Sequence, residues 1–343
     1  MVFNGMDDGA TMQSFFNGWL VIDKPAGMTS YDVIRRLKRF LPKTLKIGHA
    51  GTLDPMATGV LPIALGQATR LIEYVHAHPK AYIARWIGGS RTDTEDFTGN
   101  VIEALPSDML RQLFTNYRAD DIRRAFYGMI GVYRQTPPMV SARKVGGKRL
   151  YQLSRAGMVI PRASRPVLIY TLRIMAISLD RDPPTVDFYV RTSQGTYIRT
   201  LIQDIGIKLG IPAHLGALRR TEGGGFTLRA ARPLAHVLEL LEDDPDAWQT
   251  LLYPLHTPLR GIPLRLPDTY VPSIQNGRLL YLKKEDVHAW SMQAFLASDH
   301  PHIPPHSLIQ LIDENGHLLA LYRMMGEEEK TYVLKAEKVF PTA

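Results

Sequence analysis

Apolar positions recur along the chain with two periods, one near 3.6 residues and one of two, and the period changes at clusters of Pro, Gly and Asn. Gly18-Trp19-Leu20-Val21-Ile22 is a continuous apolar run ending in Asp23-Lys24-Pro25-Ala26-Gly27, which predicts a buried strand entering a turn. Thr29 or Ser30 then caps a helix in which Val33, Ile34, Leu37, Phe40 and Leu41 share one face and Arg35, Arg36, Lys38 and Arg39 the other. Residues 60–65 and 81–87 predict strands, the second alternating Tyr82, Ala84 and Trp86 against Ile83, Arg85 and Ile87. Between them, residues 68–75 carry helical spacing at Leu71, Ile72 and Val75, and residues 91–100 read as a polar turn region.

The same patterns continue downstream. Leu168 to Leu179 and Val186 to Arg191 predict a strand pair, the second alternating Val186, Phe188 and Val190 with Asp187, Tyr189 and Arg191. After Ser193-Gln194-Gly195, helical spacing resumes at Tyr197, Leu201, Ile205 and Leu209 and stops near Gly210-Ile211-Pro212. Pro254, Pro258, Pro263 and Pro267 mark a boundary, because proline cannot donate to a ladder or continue a helix. Beyond it, Leu308 to Asp313 and His317 to Tyr322 flank Asn315-Gly316, a hairpin signal since both turn residues tolerate positive φ. Strands mixed with scattered helices predict an α+β fold. The expected division is a flexible leader over 1–17, a main domain over 18–252 with a basic insert at about 134–166, and a small module over 253–343.

A chain of 343 residues suits about two domains. Its 41 Lys and Arg against 33 Asp and Glu give a formal charge of +8, which fits a polyanionic partner and makes the basic helix face above either a solvated surface or an RNA contact. Cysteine is absent, which excludes disulfides, thiolate metal sites and cysteine nucleophiles, and with them zinc-dependent nucleobase deamination. No apolar run reaches the roughly eighteen residues a membrane span needs, and the leader lacks a basic n-region, so a cytoplasmic protein is expected. His300, His302 and His306 among prolines read as a loop rather than a metal site, and without a Rossmann fingerprint or P-loop no cofactor is expected.

The segment Gly48-His49-Ala50-Gly51-Thr52-Leu53-Asp54-Pro55-Met56-Ala57-Thr58-Gly59 places one acid in a glycine-framed loop between apolar runs. Taken locally, Asp54 is either a functional carboxylate on a loop or the start of a structural Asx turn before Pro55. His49 to Asp54, followed by Pro55, Thr58, Gly59, Leu61 and Pro62, resembles the catalytic loop of the TruB-type tRNA pseudouridine-55 synthases. Lys24-Pro25-Ala26-Gly27 matches that family's first motif. Further matches follow in order at Lys80-Ala81-Tyr82, Arg91-Thr92-Asp93-Thr94, Gln135-Thr136-Pro137-Pro138, Ser141-Ala142-Arg143-Lys144, Gly195-Thr196-Tyr197-Ile198-Arg199-Thr200 and Leu218-Arg219-Arg220-Thr221. The resemblance spans roughly Trp19 to Phe226. It departs at Val140, where an aromatic residue is usual, and at Leu153-Ser154 in place of a small residue and Arg.

The resemblance implies a mixed, largely antiparallel pseudouridine-synthase core, a small mostly-β PUA-like RNA-binding domain at the C-terminus, and isomerisation of a tRNA T-arm uridine. It implies Asp54 as nucleophile, Arg199 as its cationic partner and Tyr82 as the ring that stacks on the uracil and can help remove the C5 proton. Base binding and flipping fall to His49, Tyr197, Lys24 and Pro25. On the residues alone, His49 is equally a hydrogen-bonding loop histidine, Arg199 a surface helix residue paired with Asp204, and the two tyrosines core aromatics. The basic residues Arg143, Lys144, Lys148, Arg149, Arg219 and Arg220 are expected against the RNA backbone or, blandly, as a solvated surface. The reaction moves a glycosidic bond from N1 to C5 with no redox change, so neither cofactor nor metal is required. The expected partner is the tRNA T-arm stem-loop, met by a monomer without a membrane. The competing readings are a guide-RNA-dependent enzyme acting on ribosomal RNA, a tRNA chaperone without catalysis, and a basic metabolic enzyme with no RNA substrate.

Overall fold

The computed structural model describes residues 16–139, 144–145, 148–149, 158, 160–290 and 303–341. The strands of the first part are β1 (Gly18–Lys24), β2 (Ile47–His49), β3 (Thr58–Leu65), β4 (Lys80–Gly88), β5 (Ser90–Thr92), β6 (Val101–Ala104) and β7 (Gly131–Gln135). There follow the short β8 (Lys144–Val145) and β9 (Lys148–Arg149), the long β10 (Arg165–Ser178), β11 (Thr185–Thr192) and β12 (Ala213–Gly223), and then β13 (Phe226–Thr227) and β14 (Arg232–Pro233). The helices used below are α1 (Ser30–Leu37), α2 (Ile72–His76), α3 (Ser107–Asn116), α4 (Ala119–Tyr127) and α5 (Ile198–Leu209).

Ten of these strands form one sheet in the order β14-β1-β3-β12-β4-β11-β10-β7, with β2 added to β3 and β13 to β12. Among the described residues it is antiparallel except where β1 meets β14 and β12 meets β3. It is the mixed, largely antiparallel sheet of an α+β fold. Alternation decides which face is sealed: Trp86, Phe188 and Val190 are buried beside Tyr82 and Ala84, and the helices cover that face. Phe126 of α4 meets Trp86 and Phe188 edge-on, with centroids 6.4 and 5.2 Å apart. The opposite face keeps Arg85, Asp187, Tyr189 and Arg191 at least partly in solvent.

The helix expected after Thr29 forms because Thr29 and Asp32 cap it reciprocally: Asp32 N donates to Thr29 Oγ1 at 3.1 Å and Thr29 N to Asp32 Oδ2 at 2.9 Å. Its expected continuation through Phe40 tightens into a 3₁₀ turn over Lys38–Phe40. The helical reading of 68–75 divides into a 3₁₀ segment, Gly66–Leu71, and α2. The polar 91–100 region carries part of a β5–β6 hairpin. Helices α3 and α4 add to the elements expected above: Leu110 and Phe114, then Ile122 and Phe126, recur at four residues and are buried. The leader's far end is also fixed: Phe16 packs edge-on against Trp248, and Asn17 Oδ1 accepts from Gln67 N at 2.8 Å. Residues 1–15 of that leader, and His300 and His302, lie outside the described residues.

A second sheet, in the order β15-β17-β18-β19-β16, consists of β15 (Ile262–Arg265), β16 (Leu280–Lys283), β17 (Leu308–Ile312), β18 (Leu318–Glu328) and β19 (Thr331–Val339), around its own apolar cluster. The β17–β18 hairpin turns at Gly316 with φ +89°, where Asp313 Oδ1 accepts from His317 N at 2.7 Å. A further cluster joining Trp19, Phe226, Leu259, Leu318 and Phe340 lies between the sheets. Tyr74 donates to Glu337 at 2.6 Å and Arg70 to the Val339 carbonyl at 2.8 Å, fixing α2 and its approach to β19. Among the described residues no helix is long and apolar enough to cross a membrane.

Candidate active site

The Asp54 loop leaves β2 and returns as β3, and its shape follows from what lies under it. Gly51 and Gly59 both have positive φ, +126° and +104°. A Cβ on Gly59 would stand 2.1 Å from the Arg220 carbonyl oxygen, so glycine is demanded there by close approach as well as by conformation. Ser30, at the start of α1, seals the loop's middle: its Oγ accepts from Leu53 N at 2.9 Å and donates to Leu53 O at 3.3 Å. Gly27 N donates to Pro55 O at 2.9 Å, joining the turn after β1 to the same loop. Ala57 N closes a turn on the Asp54 carbonyl at 3.1 Å, so the backbone makes that turn and the Asp54 side chain is free for another task.

That task is a two-pronged ion pair. Arg199 Nε lies 3.0 Å from Asp54 Oδ2 and its Nη2 donates to Oδ1 at 3.3 Å, while Nη1 donates to the Thr94 carbonyl at 3.0 Å. Arg199 is buried at the first turn of α5, so its reading as a surface residue paired with Asp204 is overturned. The Asp54 side chain keeps 33% of its surface exposed, which leaves the carboxylate open on one side while the guanidinium holds the other. Burial pushes the Asp54 carboxyl above its ordinary value; Arg199 and, less strongly, Lys24 oppose this, and Asp96 adds to it. Asp96 is itself buried and accepts from Thr98 N at 3.0 Å and Thr94 Oγ1 at 2.9 Å. Beside it, Glu95 is held at φ +66° and accepts from Thr200 Oγ1 at 2.9 Å.

Tyr82 rises from β4 with 7% of its surface exposed, and burial pushes its hydroxyl up from the ordinary tyrosine value. The Asp54 charge acts on it in the same direction, so nucleophile candidate and ring share one site. Tyr197, half-buried, immediately precedes α5. Gln135 at the end of β7 clamps its backbone on both sides, its Oε1 accepting from Tyr197 N at 2.8 Å and its Nε2 donating to Tyr197 O at 3.0 Å. His49 is half-buried at the loop's entry, its Nδ1 has no hydrogen-bond partner among the described residues, and burial lowers its pKa. Pro25 is exposed beside Lys24.

Two expectations are corrected. Lys24 does not reach for a base: fully buried, it spends its three N–H donors on the carbonyls of Met28 at 2.7 Å, Pro25 at 2.8 Å and Pro55 at 3.2 Å. Burial lowers its pKa to about 8. Arg220 does not face the RNA backbone either: with 1% of its surface exposed, it lies beneath the Asp54 loop. Strand alternation turns Arg219 the other way, where it grips Asp23 at 2.7 and 3.0 Å at the loop's rim. Arg143 and the side chains of Lys144, Lys148 and Arg149 lie outside the described residues. Gln135, Ser30, Asp96 and Lys80 had no assigned role in the sequence. Their partners are distant along the chain or within loops, and local pattern carries no mark of that. Among the described residues no group of three His, Cys, Asp or Glu could hold a metal ion.

The arrangement is a carboxylate with one-third of its surface exposed, a buried guanidinium gripping it and an aromatic ring beside it, on a loop pinned by buried cations. It can present a charged oxygen nucleophile to a flat, uncharged ring. Two family models cover the site, and both describe pseudouridylate synthases: the N-terminal domain of TruB family pseudouridylate synthases matches residues 38–198, and the C-terminal domain of tRNA pseudouridylate synthase B matches 199–260. The tRNA pseudouridine synthase B of Syntrophomonas wolfei subsp. wolfei is 37% identical over 325 residues, 94% of this chain and 98% of its own. That of Staphylococcus aureus strain MRSA252 is 37% identical over 328 residues, 95% of this chain and 99% of its own. The chain belongs to the TruB family of pseudouridylate synthases. Among solved structures, an H/ACA RNP bound to a substrate RNA containing 2′-deoxyuridine shares the fold, with a TM-score of 0.65 at 23% identity over 99% of this chain and 93% of that one. A Cbf5-Nop10-Gar1 complex gives 0.64 at 25% identity over 97% and 87%.

Proposed function

We propose that this enzyme converts uridine 55 in the T-arm of tRNA to pseudouridine, with Asp54 as nucleophile, acting as a monomer without a guide RNA. The observation that carries the reading is the Asp54–Arg199 pair, in which a bidentate guanidinium orients and charges a carboxylate that is still one-third exposed. Whole-length relatives named for tRNA supply the substrate class. The N1 glycosidic bond breaks, the uracil turns, and C5 joins the sugar carbon; the C5 proton leaves and N1 gains one, so no cofactor enters. A T-loop uridine lies within RNA structure and must be flipped out at a cost of a few kcal/mol. Tyr82 stacks on the extruded base, Tyr197 and Pro25 line its approach, and His49, half-buried at the loop's mouth, fills the space it leaves. The sheet over 262–339 and the basic 134–166 insert serve as RNA-binding surfaces.

The test is tritium release from an unmodified tRNA transcript labelled at uridine C5, with the modified position mapped. Wild type is expected to release tritium at the T-loop uridine, and Asp54→Asn to be slower by a factor on the order of 10⁴. Release mapped to other uridines would sink the position assignment. An active Asp54→Asn would sink the nucleophile.

A further inference from the structure

Arg220 is a buried cation with no role so far. Its guanidinium is spent on the Asp54 loop: Nε donates to Val60 O at 2.7 Å, Nη2 to Gly51 O at 3.0 Å and Nη1 to Thr52 O at 3.3 Å. Two of these carbonyls precede Asp54 and one follows it, so one planar group braces both arms of the loop. Tyr82 stands directly opposite Arg220 in the β4–β12 ladder, near enough for the guanidinium and the phenol to act on each other's ionisation. Its hydrogen-bond partners among the described residues are therefore three carbonyls, and the groups that act on it through space are the Tyr82 phenol and the Asp54 carboxylate.

Burying a guanidinium against neutral oxygens is costly, and an apolar side chain of similar volume would usually fill such a space at least as well. The chain nonetheless makes room for it. Gly59 lies against its backbone, and a Cβ on Gly223 would come within 3.0 Å of Nε. What a hydrophobe cannot provide is direction. The fork of N–H donors has fixed geometry, so the positions of Gly51, Thr52 and Val60 and the aim of the Tyr82 hydroxyl are not independent. Lys80, the neighbouring half-buried cation, is tied elsewhere, to His76 O and His78 O at 3.2 Å each.

We propose that Arg220 is a positioning residue for the isomerisation, setting the backbone that carries Asp54 and the hydroxyl of Tyr82 from one rigid group so that both meet the flipped uridine in register. This rests on the assignment of Asp54 and Tyr82 above. A lysine at 220 keeps the charge but has a single point of donors, so it cannot hold loop and phenol together.

The experiment compares Arg220→Lys and Arg220→Gln with wild type in the full chain. It measures single-turnover tritium release from C5-labelled tRNA, tRNA affinity by filter binding, and folding by circular dichroism. Folded Arg220→Lys is expected to bind tRNA as wild type does and to react about a hundredfold more slowly, the scale of a small misplacement of reacting groups. Adding Tyr82→Phe to it should slow the reaction less than Tyr82→Phe does alone, since the two side chains act through one contact. A wild-type rate in Arg220→Lys, a loss confined to tRNA affinity, or independent effects of the two substitutions overturns the proposal. If neither Arg220 variant folds, Tyr82→Phe decides: the proposal requires lost rate at unchanged affinity, and an unchanged rate overturns it. Asp54→Asn is run alongside. An active Asp54→Asn removes the site assignment itself, whereas an active Arg220→Lys beside an inactive Asp54→Asn removes only the role of Arg220.

Discussion

Two groups of cations on neighbouring strands are built in opposite ways. On the open face of the sheet, Arg85 grips Asp187 across the β4–β11 ladder at 2.7 and 2.8 Å, and Arg219 grips Asp23. Arg191 reaches Glu222 at 3.0 Å over Ala81, the small residue that stands between them in register. Each of these has its own carboxylate and solvent access. Beneath the Asp54 loop, Lys24 and Arg220 are satisfied by backbone carbonyls instead. The surface pairs cancel their own charge and specify little. These two buried cations specify the path of a loop, and both feel the charge of Asp54. A basic side chain's position in the strand alternation, more than its charge, decides which of the two roles it takes.

The largest effect expected from breaking this contrast lies at Gly59, where the loop crosses Arg220. Gly59→Ala must abandon φ +104° and move a Cβ that would otherwise lie 2.1 Å from the Arg220 carbonyl oxygen. A stability loss of about 3 kcal/mol is expected from backbone strain of this kind, read as a lower urea midpoint, together with a slowed reaction. Gly27→Ala is the control, because that glycine also has positive φ, +83°, but an added Cβ would meet nothing within 4 Å. If the two substitutions cost the same, conformation alone accounts for the loss and the close approach to Arg220 contributes nothing.

A subtler effect follows from pH. Burial lowers Lys24 and Lys80 to about 8 each, while Asp54 is raised from its ordinary 3.8. The active form has Asp54 ionised and both amines charged. The rate should therefore fall on the acid side at a pH above the ordinary aspartate range, and on the alkaline side as pH rises through about 8. Stability moves the other way on that alkaline limb. Between about 8 and the ordinary 10.5 the unfolded chain holds the Lys24 proton more tightly than the folded one, so this group makes unfolding less favourable as pH rises. Falling activity with rising stability separates titration of the loop from simple alkaline unfolding. Lys24→Arg, which stays charged throughout, should lose part of the alkaline limb; a profile identical to wild type would assign that limb elsewhere.

The same contrast shows where the sequence was legible. β3, β4 and β11 follow from local alternation and apolar runs, and the loop from its glycines and family motif. Leu218-Arg219-Arg220-Thr221 was the place where charge misled. Both arginines were expected to face outward, although a strand must point adjacent residues to opposite faces, and Leu218 and Arg220 share the buried one. Alternation would have exposed the conflict had Ala213–Gly223 been read as a strand. Arg199 could not be placed by any local rule, because its partner Asp54 is 145 residues away. Resemblance supplied that pair and geometry gave it form. Lys24 was expected to bind a base, and nothing in Lys24-Pro25-Ala26-Gly27 shows that three carbonyls converge on its ammonium.

The smallest effect is expected on the open face. Arg85 and Asp187 keep 45% and 30% of their side-chain surfaces exposed, so their bidentate geometry is offset by solvent screening and by the entropy of holding two side chains still. A double-mutant cycle with Arg85→Ala and Asp187→Ala, followed by urea unfolding, should give a coupling of about 0.5 kcal/mol that shrinks in high salt. The reaction rate should not change in any of the three variants, since the pair lies on the face of β4 opposite Tyr82. A rate loss there would mean that the open face reaches the active site through β4, and the division between self-neutralised surface pairs and loop-shaping buried cations would have to be redrawn.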